Sequence, residues 1–111
     1  MTKMKIWLDD VRQPPDASWE WHQEIIYAWQ VIRNGLVSEV SLDHDLGDEQ
    51  PTGYDLLKWI EESLMTDKID KDCVPTMTIH SANPVGRKNM ELAIENIKKL
   101  CIAKGKLHGP E

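Results

Sequence analysis

Three short apolar runs in this chain each stop abruptly on a polar cluster. KMKIWL (3–8) runs into Asp9 and Asp10, EVSL (39–42) into Asp43, His44 and Asp45, and TMTI (76–79) into His80 and Ser81. Short apolar runs bounded by such residues predict β-strands. In the first, Met4, Ile6 and Leu8 share one face and Trp7 lies on the other. Apolar residues on both faces predict a strand covered on both sides.

Helical patterns separate these runs. Glu24 to Asn34 places Ile25, Ile26, Trp29 and Ile32 at helical spacing, and Gly35 is a natural stop. Thr52 is positioned to cap a helix over 53–64, with Leu56, Leu57, Ile60 and Leu64 on one face. Asn83 can cap a helix starting at Pro84, striped by Met90, Ala93, Ile94, Ile97, Leu100 and Cys101. A further short strand is expected at 19–22. Pro14 and Pro15 make the first crossover a loop, and 66–73 is a polar connection. No element is assigned from Lys104 onward. Strands alternating with helices predict an α/β fold with a short, mainly parallel sheet of about four strands. The 111 residues suit one domain, 1–111.

Composition narrows the function classes. A net charge of −6 argues against a broad nucleic-acid-binding surface but leaves room for a small phosphate-bearing ligand. No apolar run approaches a membrane span. Cys73 and Cys101 match no metal spacing, and Met1 to Asp10 turns acidic at once, so a reducing cytoplasm is expected. Trp7, Trp29 and Trp59 fall in periodic apolar runs and are read as packing. Trp19 and Trp21 flank a turn-rich segment and are read as packing or as pocket lining.

In a parallel sheet the ligand crevice lies beyond the carboxyl ends of the strands, where the three polar clusters would meet. Taken singly, each has a plain reading as a loop cap or a solvated turn; their convergence favours a site. Asp9, Asp10 and Asp45, with Asp43, would offer hard oxygen ligands suited to Mg²⁺ or Mn²⁺. The run from Asp43 to Glu49 holds four acids around His44. His44 and His80 are candidates for acid and base. Alternation leaves His44 open: if the strand continues through Asp45, His44 points away from Asp43 and Asp45. Ser81, Asn83 and free backbone N–H groups after Pro84 would attract phosphate. Gly86 would allow its close approach, and Arg12 and Arg87 would grip its oxygens. His22 and His108 have no such company.

The order of these clusters resembles a response-regulator receiver domain, with an acid pair after the first strand, an Asp after the third and Ser81 at the switch position after the fourth. Asp45 to Gly53 followed by YDLL is similar to the region of the receiver's phosphoacceptor. WLDDVRQPP, SLDHDLGDEQPTGYDLL and HSANPVGRKNM together resemble the cyclic-phosphate-processing receiver-like family over about residues 4–100. That resemblance implies a receiver-like (flavodoxin-like) three-layer fold with flanking helices, and the handling of cyclic phosphates in RNA repair or nucleotide signalling. It places functional positions on Asp9, Asp10, Arg12, Asp43, His44, Asp45, His80, Ser81, Asn83 and Arg87.

The chain departs from an ordinary receiver in its proline-bearing first crossover. It also lacks an evident fifth strand with its Lys, for which Lys104 or Lys106 would have to substitute. These departures favour hydrolysis over phosphorelay. The expectation is a metal-assisted phosphoesterase acting on cyclic nucleotides or RNA 2′,3′-cyclic phosphate ends. The alternatives are a signalling domain phosphorylated on Asp45 or Asp43, and a non-catalytic cyclic-nucleotide binder.

Overall fold

The computed structural model describes residues 3–44 and 51–108. Strands β1 (Met4–Leu8), β2 (Trp19–His22), β3 (Val37–Leu42) and β4 (Thr76–Ile79) form one parallel sheet in the order β2-β1-β3-β4. Helix α1 (Ile25–Arg33) carries the chain from β2 across β1 to β3, α2 (Gly53–Met65) from β3 to β4, and α3 (Pro84–His108) follows β4. The polar connection contains a single 3-10 turn, Lys71–Cys73. The expected strands and helices are present with ends shifted by a few residues. The exception is the tail: α3 continues through 104–108, where the sequence had suggested no element. Among the described residues there is no fifth strand.

Alternate strand positions explain the core. Ile6, Leu8, Val40, Leu42 and Met77 join the buried residues of α1, α2 and α3 in one cluster. Each such Leu or Ile contributes roughly 1.5–3 kcal/mol on burial. Both crossovers advance in the same direction across the sheet, so right-handed connections place α1 and α2 on one face, and α3 packs against α2.

The receiver-like α/β class with helices flanking a parallel sheet is therefore present. The second covering of β1 differs from the three-layer expectation. Trp7 is buried but lies outside the helical core cluster. It meets Trp19 edge-on at 5.8 Å and stacks on His80 at 3.8 Å, and its indole N–H donates to the Arg12 carbonyl at 2.8 Å. An aromatic cap and the 9–18 loop stand where a helix would be the third layer, because a crossover holding Pro14 and Pro15 cannot be helical.

Local signals fix the helix ends. Gly35 closes α1 at φ +75°, a conformation costly for residues with a Cβ. Thr52 and Asp55 form a reciprocal capping box at α2: the Asp55 N–H donates to Thr52 Oγ1 at 3.2 Å, and the Thr52 N–H donates to Asp55 Oδ2 at 2.7 Å. Thr52→Ala should cost about 1 kcal/mol, read as a lower urea midpoint with an unchanged slope. No described helix is long and apolar enough to cross a membrane.

Candidate metal and phosphate site

The sheet ladder runs one residue beyond each of three strands. The Asp9 N–H donates to the His22 carbonyl at 3.2 Å, the Asp43 N–H to Leu8 at 3.0 Å, and the His80 N–H to Leu42 at 3.0 Å. These bonds hold three polar residues at one level beyond the sheet. Side-chain alternation then sets their direction. Trp7 pairs with Ser41, and Ser41 with Thr78. Two residues on, Asp9, Asp43 and His80 follow on the same side, away from the helical core.

Carboxylate oxygens of Asp9, Asp10 and Asp43 lie within 4.8 Å of one another. Asp9 is fully buried. Its Oδ1 accepts the N–H groups of Val11 at 2.9 Å and Arg12 at 2.8 Å, and its Oδ2 lies 3.0 Å from His80 Nε2. Burial alone would raise its pKa. The bonds from Arg12, Val11 and His80 outweigh burial and hold it below the usual carboxylate range. Asp43 goes the other way. Burial and then the charge of Asp9 lift it, against bonds from the Ser81 side chain and the His44 backbone and the pull of His80.

His80 has both ring nitrogens engaged, Nε2 with Asp9 and Nδ1 with Ser41 Oγ at 2.8 Å. Burial lowers its pKa, and the neighbouring Asp9 and Asp43 only partly offset this. The ring is then neutral at pH 7. Nε2–H donating to Asp9 and Nδ1 accepting from the Ser41 hydroxyl is the tautomer that satisfies all three groups.

His44 sits between two helix starts. Its carbonyl accepts the Gly53 N–H at 3.0 Å. Its ring lies so close to α3 that a Cβ on Gly86 would fall 2.4 Å from Cγ. Gly86 thus makes room for an imidazole, where close approach of a ligand had been expected.

The first turn of α3 also departs from expectation. Asn83 Oδ1 accepts the N–H groups of Val85 at 3.1 Å and Gly86 at 3.0 Å, the Arg87 N–H bonds the Asn83 carbonyl at 2.8 Å, and Pro84 has no N–H. No free amides remain there for an anion, because the cap consumes them. The Ser81 side chain bonds the Asp43 carboxylate, and its Oγ also accepts the Asn83 N–H at 3.1 Å. The cationic groups are side chains. Arg12 Nη1 donates to the His80 carbonyl at 3.1 Å, and Arg87 Nη1 donates to the Ile79 carbonyl at 3.3 Å. Each guanidinium has further donors. Arg87 Nε also lies 3.7 Å from the Glu91 carboxylate.

The structure thus gathers Asp9, Asp10, Asp43, His80, Ser81 and Arg12, with His44, Asn83 and Arg87 at the adjoining start of α3. Asp45, expected as a metal ligand beside them, lies outside the described residues. The sequence reading gave no site role to Ser41 or Trp7, which hold His80, or to Gln23. Trp21, expected as packing or pocket lining, also reaches the site. The Trp21 indole N–H donates to the Asp9 carbonyl at 2.7 Å, and Gln23 Nε2 to the Asp10 carbonyl at 3.1 Å. Strand alternation was the available signal for Ser41 and Trp7, each two residues before an acid.

Asp9, Asp10 and Asp43 could hold a metal ion, and an all-oxygen donor set suits a hard cation. The upward shift of Asp43 fits as well, since a cation would relieve the crowding of like charge that contributes to it. Compared with known families, residues 4–96 match the cyclic-phosphate processing receiver domain. No curated protein and no solved structure matches the chain.

Proposed function

The chain belongs to the cyclic-phosphate processing receiver domain family, and from that premise we propose that it is a metal-assisted phosphoesterase that opens cyclic phosphates on nucleotides or RNA ends. The observation that carries this reading is the cluster of Asp9, Asp10 and Asp43 beside Arg12 and His80. Those carboxylates would hold Mg²⁺ or Mn²⁺. When bound, such an ion supplies charge neutralisation at a non-bridging phosphate oxygen.

The chain's own residues do the rest. Arg12 and Arg87 bind the phosphate through the donors left after their bonds to the His80 and Ile79 carbonyls. Water attacks phosphorus: a new P–O bond forms, one ring ester P–O bond breaks, and the product is a phosphomonoester. One of His44 and His80 takes the proton of the attacking water, and the other gives a proton to the departing oxygen. His80 also orients Asp9 through its Nε2.

Phosphorus NMR on a panel of 2′,3′-cyclic mononucleotides, cyclic-ended RNA and 3′,5′-cyclic mono- and dinucleotides tests the reading. Ring opening should require Mg²⁺ or Mn²⁺ and stop with EDTA. His44→Ala should lower kcat by on the order of 10²-fold with little change in KM. A stable acyl phosphate on an aspartate without ring opening would mark receiver-type signalling instead. Tight binding of an unaltered ligand would mark a sensor.

A further inference from the structure

We propose that a cleft at the carboxyl end of β2 is the subsite for the base of a nucleoside cyclic phosphate. The inference rests on the phosphoesterase reading for the phosphate end of that ligand. The cleft is about 420 Å³ and is lined by Trp21, His22, Gln23, Glu24 and Tyr27. That volume falls in the range of small-molecule sites. Trp21 and Tyr27 are each 38% exposed, leaving large aromatic surfaces in water.

The wall of the cleft is tied to the acids. The Trp21 indole and the Gln23 amide donate to the carbonyls of Asp9 and Asp10 at 2.7 and 3.1 Å. A phosphate held at those acids therefore has the cleft as its neighbour. The aromatic surface is also ordered beforehand: His22 and Tyr27 stack at 4.3 Å and 26°, and the Trp21 ring is pinned by its N–H. Ordered aromatic planes bind a flat ring with little further loss of freedom, and stacking on such planes is how proteins hold unpaired bases. A cyclic phosphate lacking a base would leave this surface bare. The cleft thus sets specificity for nucleoside substrates.

The test compares kcat/KM for adenosine 2′,3′-cyclic phosphate with that for glycerol 1,2-cyclic phosphate, using the full chain with Mg²⁺. Tyr27→Ala should lower the adenosine-to-glycerol ratio about tenfold, mainly through KM, and Tyr27→Phe should restore it. Adenosine 3′-monophosphate should shift the NMR signal of the Trp21 indole N–H, a readout that needs no turnover. Equal kcat/KM for both substrates, unaffected by Tyr27→Ala, would overturn the subsite and leave the phosphoesterase reading standing. Tyr27-dependent binding of adenosine 2′,3′-cyclic phosphate with no turnover of either compound would support the subsite and overturn the phosphoesterase reading.

Discussion

Asp43→Asn should give a protein that resists unfolding better without metal, yet is nearly inert toward cyclic phosphates. The sign follows from linkage. The folded pKa of Asp43 lies above its ordinary value of 3.8, lifted by burial and then by the charge of Asp9. The stability tied to its protonated form is present below 3.8 and is lost as pH rises through the folded pKa. At neutral pH the ionised carboxylate is therefore a net cost to folding, and the amide removes that charge while keeping an acceptor for Ser81. The metal-free Tm should rise by on the order of a few °C.

A saturating divalent cation works in the opposite sense. At about 100 times its Kd it should stabilise the wild type by about 2.7 kcal/mol, a shift that Asp43→Asn should largely abolish. Turnover should fall by on the order of 10²-fold, the scale of losing one electrostatic contributor at a reacting centre. Protons also compete for Asp43, so the wild-type cation shift should shrink on going from pH 7 down through its raised titration range. A variant less stable than wild type in EDTA would refute the repulsion account.

Gly53→Ala should lower stability by about 2 kcal/mol or more, although the same exchange in an ordinary helix stabilises by roughly 0.5–1 kcal/mol. Two effects compete at this first residue of α2. Helix propensity favours Ala. The added Cβ, however, would lie 2.2 Å from the Asp43 carbonyl oxygen and 3.3 Å from Met90 Sδ. The sulfur can move. The carbonyl belongs to the segment that carries Asp43, whose own N–H is locked to Leu8. Relief must push α2 or Asp43 away, so catalysis should suffer along with the denaturation midpoint. Unchanged stability and activity would mean that the two segments separate freely.

Much of this architecture was readable in the chain itself. The abrupt polar ends of KMKIWL, EVSL and TMTI, with helical patterns between them, were enough to expect a parallel sheet and a shared rim. That rim does gather Asp9, Asp43 and His80, because period-two alternation acts in the same way on three strands in register. What escaped was pairwise chemistry between distant segments. Ser41 and His80 are 39 residues apart, and only the placement of β4 beside β3 brings the hydroxyl to the imidazole. Gly86 was legible as a place of close approach, but nothing in the order of residues said that the approaching group is His44. Free amides at α3 were expected from the helix start alone. The same Asn83 that was recognised as a cap uses those amides up.

The bond from Arg87 to the Ile79 carbonyl has a consequence away from chemistry. β4 is an outer strand, and the His80 N–H points inward to β3, so the backbone groups of Ile79 face outward with no strand beyond among the described residues. Unprotected margins of this kind can template pairing with another chain. Here the margin is four residues long, and a guanidinium sits on one of its outward acceptors. The arginine proposed to bind the phosphate thus also guards against intermolecular zippering, and solubility would be linked to the same position as recognition.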